Sequence, residues 1–346
     1  MLAVGCSSAQ TLMPVTTMTG TASVSTIPTK DVAGLSPSAI PEPSTTLLAT
    51  LPHCTVGWIV FASHVSYSQD DLRDGVYKTC ADGTSRQQLI ATEAGIPVGA
   101  WPDGTGFLYA DYEMPLQVIN LAGKHVAKLD IGSTYKGTVG RLSVSPDGEY
   151  AFYQKFLSSD GGTPARFEIL HLPTGIISED LVSLDYYDQI GITVPSIIPT
   201  WSPRGNHIVW RLADRLDIAD VACDAVLHTC SLQNIREIGI VPRIMGNNGI
   251  SWSPDGMRWV VPCIFTNDPN EYSRLCIFDL SGTLLEDYDN TDIGVGIVYN
   301  PSWSPTGDRI AFSDGRNLYI LFLADHKIIN LTTQYGTIDD VPIWIP

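Results

Sequence analysis

Residues 301–312 read PSWSPTGDRIAF, and residues 249–261 read GISWSPDGMRWVV. Three earlier segments repeat the unit: GAWPDGTGFLYA (99–110), LSVSPDGEYAFY (142–153) and PTWSPRGNHIVW (199–210). Its chemistry is that of two strands joined tightly. The first strand ends in Trp-Ser, Pro presets φ for a turn, Asp bonds its own backbone, and Gly takes a positive φ. A second strand follows at once, as in RIAFS or HIVWR.

The anchoring prolines are Pro102, Pro146, Pro203, Pro254 and Pro305, at separations of 44, 57, 51 and 51. Third strands (FEILHL, RLCIFDL, NLYILFL) and a fourth (KIINLTT) complete the unit. Short strands at such a period are the signature of an all-β propeller, in which one blade cannot bury both faces and the ring must close. The carboxyl end, Asp339-Asp340-Val341-Pro342-Ile343-Trp344-Ile345-Pro346, aligns with the opening of a blade, while Gly57-Trp58-Ile59-Val60-Phe61 aligns with a second strand. Residues 337–346 are therefore expected to form the innermost strand of the blade continued by residues 56–92. This pairing of the two ends makes six blades of four antiparallel strands.

WSPDG followed by an IAF-like strand resembles the PD40 (WD40-like) repeats of TolB-like six-bladed propellers, over about residues 56–346. Val144 stands in place of the Trp, Arg204 and Thr306 in place of the Asp, and residues 99–110 lack the Ser. The resemblance implies the fold and supplies no shared catalytic residues. Similar blades precede the catalytic domain of prolyl-oligopeptidase-like hydrolases, and this chain ends where that domain would begin. Propeller lyases with this repeat use a His-centred metal site. Here His53, His64, His125, His171, His207, His228 and His326 are scattered singly, and only the fold could gather two or three of them.

Composition narrows the function further. The 346 residues carry 20 Lys and Arg against 37 Asp and Glu, a net charge of −17, which argues against nucleic acid because little could neutralise its phosphates. No run of 18 apolar residues spans a membrane. Residues 7–55 hold 7 Ser, 11 Thr and 6 Pro with only Lys30, Asp31 and Glu42 charged, too little apolar surface to offset ordering entropy. Three segments follow: 1–6 as the remnant of a signal, 7–55 as a disordered tether, and 56–346 as the propeller.

Leu2-Ala3-Val4-Gly5-Cys6 resembles a bacterial lipobox, with Cys6 as the lipid-modified residue. A full signal needs an apolar run of about 7–15 residues, and only five residues precede Cys6. Either Met1 is an internal Met of a longer gene product or the match is accidental; the tether favours lipidation and an extracytoplasmic, membrane-tethered location, periplasmic or at the cell surface. Six cysteines remain: Cys54, Cys80, Cys223, Cys230, Cys263 and Cys276. They allow 15 pairings, which sequence leaves open. Cys263 and Cys276 fall on adjacent strands, Cys223 and Cys230 would close a short loop, and Cys54 and Cys80 flank the first blade. Export favours disulfides over buried thiols, and none of the six has metal-ligand spacing.

Catalytic signatures are missing: no G-x-S-x-G elbow, no H-E-x-x-H, no phosphate-cradling glycine loop and no sialidase box. The acidic run 287–294 does not match a calcium loop and reads as a solvated connection. Asp103, Asp147 and Asp255 read as turn residues. What remains is a face. Connections between second and third strands share an end of the propeller with connections between blades. They carry Tyr67, Asp70, Asp71, Asp111, Tyr112, Asp185, Tyr186, Tyr187, Asp188, Asp268, Tyr272, Asp287, Tyr288 and Asp289, while Arg204, Arg258 and Arg309 lie near the opposite turns. Tyrosines offer stiff amphipathic contact area and carboxylates steer cationic partners. The expectation is a monomeric, non-enzymatic binding propeller without a cofactor. It would engage a protein, peptide or cell-wall component through this face and meet a membrane only through a lipid anchor. A hydrolytic or carbohydrate-active propeller with a site at the central channel is the alternative.

Overall fold

The computed structural model describes residues 54–345 except 55–56, 66–73, 93–94, 112–113, 130–141, 157–164, 180, 182–198, 213–214, 239–242, 245–248, 266–272, 289–295 and 333–335. Its strands form six antiparallel sheets, each built around a four-strand path and arranged as the blades of a propeller. Blade one has the order Ile338–Ile345, Trp58–His64, Gly75–Cys80, Gln87–Ala91. Blades two to six begin at Ile96–Ala100, Leu142–Val144, Pro199–Trp201, Ser251–Trp252 and Tyr299–Trp303 and run outward in chain order. In blade five, Arg243–Ile244 also pairs with Arg258–Ile264, extending the inner edge.

The closure expected from the two ends is present. Trp58 pairs with Ile345, Val60 with Ile343 and His64 with Ile338. The described unit starts slightly earlier than the sequence boundary, because Cys54 is joined to Cys80 with a Cα–Cα distance of 5.4 Å. Cys223–Cys230 (4.0 Å) and Cys263–Cys276 (6.0 Å) form the other two disulfides, each bridging neighbouring strands.

Each turn motif is held by its own side chains. Gly104, Gly148, Gly205, Gly256 and Gly307 have φ between 65° and 76°, where a β-carbon would be strained. Each donates its N–H to the carbonyl three residues back, as Gly256 does to Ser253 at 2.8 Å. The motif Ser accepts from the amide that opens the next strand: Tyr150 to Ser145 (2.9 Å), His207 to Ser202 (3.1 Å), Arg258 to Ser253 (2.9 Å), Arg309 to Ser304 (3.1 Å). Asp255 Oδ1 in turn accepts from the Ser253 hydroxyl (2.6 Å) and the Met257 amide (2.9 Å). Where Arg204 and Thr306 displace the Asp, a residue two places later takes the hydroxyl instead: Ser202 donates to Asn206 Oδ1 and Ser304 to Asp308 Oδ1. The acceptor moves across the glycine and the turn survives.

Strand alternation distributes the core. Ile208 and Trp210 pack toward blade three, while Val209 between them packs toward blade five. The buried residues accordingly fall into six clusters, one between each pair of successive blades. The cluster between blades six and one contains Trp344, Phe61, Leu318 and Ile320, so the carboxyl-terminal strand completes an apolar contact as well as a hydrogen-bond ladder.

Candidate functional site

The strand ends define two unlike rims. At the turn end, connections between first and second or third and fourth strands span four to six residues, as in 253–257 or 225–228. At the loop end the gaps between described strands reach 10 residues (65–74), 12 (130–141) and 20 (179–198), most of them outside the described residues. Long connections on a rigid scaffold are where binding residues concentrate.

The inner strands line the channel, and their polar side chains are largely spent on one another. The Trp201 amide donates to Ser143 Oγ (2.8 Å), Trp303 to Ser251 Oγ (2.9 Å) and Trp344 to Ser302 Oγ (2.9 Å). Each bond crosses from one blade to the one before it. The recurring hydroxyl residue immediately before the Trp or its Val substitute (Ser143, Thr200, Ser251, Ser302) is the sequence signal for this ring, and the motif reading passed over it. Nearer the loop end, Asn300 Nδ2 donates to Asp340 Oδ1 (3.0 Å), and Asn300 Oδ1 accepts from Gly249 N (3.4 Å), tying blades five, six and one. Asn300 and Val341 sit at φ of 46° and 52°, where both inner strands shift register against their neighbours. For a β-branched residue such a φ is an outlier held in place by its surroundings; Asp340 Oδ1 accepts the Val341 amide at 2.6 Å.

Of the proposed face, Tyr67, Asp70, Asp71, Tyr112, Asp185, Tyr186, Tyr187, Asp188, Asp268, Tyr272 and Asp289 lie outside the described residues, as does Cys6. Asp111 ends the strand Gly106–Asp111 at the loop end. Asp287 is surface-exposed but already engaged, with Arg274 Nη1 2.9 Å from its Oδ2. Tyr288 is a correction: it is 2% exposed and packs with Trp303 and Phe312 in the core between blades five and six. The acidic run reads as a loop, yet Leu284–Tyr288 is an outer strand, and alternation turns Asp287 to solvent and Tyr288 inward. Its hydroxyl reaches Glu286.

Titratable groups elsewhere are structural. Lys78 is fully buried, its Nζ 2.7 Å from the Leu121 carbonyl and 4.2 Å from the Trp58 ring centroid; burial lowers its pKa. Tyr153 donates to Glu168 Oε2 at 2.6 Å, and burial together with that carboxylate raises the phenol far above its usual range. The fold does gather two histidines from different blades: His171 and His228 stack at 4.2 Å between centroids and 9° between planes. His171 Nδ1 lies 2.7 Å from Thr174 Oγ1. Among the described residues no three His, Cys, Asp or Glu side chains converge as metal ligands. No helix among them is long and apolar enough to cross a membrane.

No protein-family model matches the chain. A probable dipeptidyl-aminopeptidase B of Sclerotinia sclerotiorum is 34% identical over 76 residues, which are 21% of this chain. The chain spans 8% of the length of that curated relative. Among solved structures, TolB from Acinetobacter baumannii superposes with a TM-score of 0.60 at 15% identity, covering 86% of this chain and 69% of that one. A putative TolB from Agrobacterium tumefaciens gives 0.51 at 15% identity, over 80% and 87%. A chain of a nidogen/laminin complex gives 0.52 at 11% identity, over 84% and 98%. At such identities the likeness is one of fold. With its six blades closed by pairing of its first and last described strands, the chain has the six-bladed β-propeller fold seen in these TolB structures.

Proposed function

We propose that this chain is a non-enzymatic binding propeller, held outside the cytoplasmic membrane by a lipid on Cys6. It engages a protein, peptide or cell-wall partner through its loop end. The observation that carries the reading is the asymmetry of the two rims: connections of up to 20 residues at one end, and uniformly short, internally bonded turns at the other. The channel supports it too, since the hydroxyls of Ser143, Ser251 and Ser302 serve the neighbouring blade and are poorly placed to act as nucleophiles. The TolB and nidogen/laminin likenesses are compatible with a binding role and add nothing finer.

The test is capture from the parent envelope fraction with the full chain as bait, beside a variant carrying Asp185→Asn, Asp188→Asn and Asp289→Asn. Asp287 is left intact because it holds Arg274. One dominant partner, lost in the variant at unchanged melting temperature, supports the reading. Equal capture by both baits removes the acidic face from it, and turnover of glycans or peptides by the parent chain overturns the non-enzymatic part.

A further inference from the structure

The hairpin joining the third and fourth strands of blade four differs from every other turn. Its strands, Arg215–Asp224 and Thr229–Ile238, are the longest among the described residues, at 10 residues each. Four residue pairs, from Val221–Leu232 to Asp224–Thr229, extend beyond the last pair shared with the second strand of the blade, and Cys223–Cys230 staples them. Asp224 Oδ1 accepts the amides of Val226 (2.8 Å) and Leu227 (2.9 Å), and the Asp224 carbonyl accepts the His228 amide (2.8 Å). His228 takes φ of 55° and stacks on His171 of blade three. The tip is thus fixed by four separate devices, yet it presents apolar side chains to water: Val226 is 84% exposed and Leu227 62%.

Two more exposed apolar residues share this end in the adjoining blades, Ile176 at 37% in the turn of blade three and Met257 at 46% in that of blade five. The exposed Arg204 side chain runs beside Met257's turn, with its Cγ 3.3 Å from where a β-carbon of residue 256 would sit. Cys54, bonded to Cys80, lies at the turn end of blade one, so residues 1–53 join the propeller at this same end.

We infer that the turn end of blades three to five is a lipid-contacting surface, with Val226 and Leu227 entering the headgroup boundary of a bilayer. The inference rests on the anchoring role given to Cys6. Apolar side chains gain by leaving water, and a tip whose amides are already bonded carries little backbone desolvation into the interface. An anchor attached at the same end makes the second contact intramolecular, so a weak contact suffices to orient the body. Arg204 beside the apolar arc meets lipid phosphate, and the acidic loop end is left facing away from the membrane.

The test uses the full chain coupled through the Cys6 thiol to a maleimide-headgroup lipid in dioleoylphosphatidylcholine vesicles, so that attachment does not depend on cellular lipidation. A Leu227→Trp variant reports contact through quenching by brominated phosphatidylcholine, taken as the difference from the parent chain. Ile297→Trp, at an exposed position of the loop end between blades five and six, is the control. The added indole at 227 is expected to lose emission about twofold or more, while that at 297 is unaffected. Deuterium exchange of residues 224–229 in the parent chain, tethered against untethered, should show slowed exchange. Unquenched emission at 227, equal quenching at both positions, or unchanged exchange would each overturn the proposal. So would slowing of exchange at 224–229 by an envelope protein but not by lipid. Mass analysis of the amino-terminal peptide from cells separately decides whether Cys6 carries lipid, so a failure of that reading is distinguishable.

Discussion

Arg86 and Asp339 are 253 residues apart in sequence, and Arg86 Nη1 lies 2.8 Å from Asp339 Oδ2. The Asp339 side chain is fully buried and that of Arg86 is 10% exposed. The guanidinium also donates to Ser63 Oγ (2.9 Å) and Thr337 Oγ1 (3.2 Å), and lies over the rings of Phe61 and Tyr77. The pair therefore fastens the turn that leads into the outer strand of blade one to its innermost strand, across the seam where the chain ends meet. Removing one partner leaves a buried charge uncompensated, so Arg86→Ala or Asp339→Ala should cost about 3–5 kcal/mol. Denaturant unfolding checks this, with the exposed Arg309–Asp308 pair as a reference expected to contribute less than about 1 kcal/mol.

Deleting residues 338–345 removes both a hydrogen-bond ladder and Trp344 from the core between blades six and one. The truncated chain should lose cooperative unfolding, because an open ring leaves two apolar blade faces in water. Trp344→Ala alone should cost about 3–5 kcal/mol. A truncated protein that melts with the parent's sharpness would show that the ring does not depend on this strand.

Ser251→Ala and Ser302→Ala should each leave a Trp amide without its acceptor and cost about 1–3 kcal/mol. Ser281→Ala in an exposed turn is the comparison, expected within about 0.5 kcal/mol of the parent. Thermal melts of the three variants separate an interblade bond from a local one.

Two pH responses have the same sign. Asp255 is held below 3.8 chiefly by the Ser253 hydroxyl and then by the Met257 amide, and Asp82 by the Thr84 hydroxyl and amide. A carboxyl depressed in the folded state contributes stability that is present above the unfolded value of 3.8 and lost as pH falls through the lower folded value. His171 is lowered from 6.5 by burial and then by His228, so its contribution is present above pH 6.5 and fades as pH falls through the lower folded value. Imidazole resonances should show His171 titrating below 6.5, and His228→Phe, which keeps a stacked ring and removes the second imidazole, should move that titration upward.

Reducing the disulfides should lower stability by an amount that grows slowly, with the logarithm of the chain each one closes. For separations of 26, 13 and 7 residues, loop entropy puts the contributions of Cys54–Cys80, Cys263–Cys276 and Cys223–Cys230 at about 3.5, 3 and 2.5 kcal/mol. Thiol counting on the denatured, unreduced chain made without lipidation should find Cys6 as the single reactive thiol. Six additional thiols would overturn the pairing.

The blade repeat was legible because its determinants act over five residues. A Ser, a Pro, an Asp or its substitute, and a Gly settle each turn through bonds between near neighbours, so WSPDG, SPRGN and SPTGD announce the same structure. The candidate site was less legible. A loop and the last residue of an outer strand are both rich in Asp and Tyr, and only the register of Leu284–Tyr288 against Arg274–Asp279 tells that Tyr288 is core and Asp287 surface.

The amino-acid sequence by itself determined the strands, the turns between them, the six-fold repetition and the need for both ends to meet, since period-two patterning and turn chemistry are local. Tertiary structure decided which distant residues became partners: Arg86 with Asp339, His171 with His228, Asn300 with Asp340. Those contacts follow from the geometry of a closed ring, in which outer strands lean on neighbouring blades and side chains far apart in sequence share one seam. No short window of sequence encodes that meeting, because the free energy that selects it is gained only when the whole ring is buried.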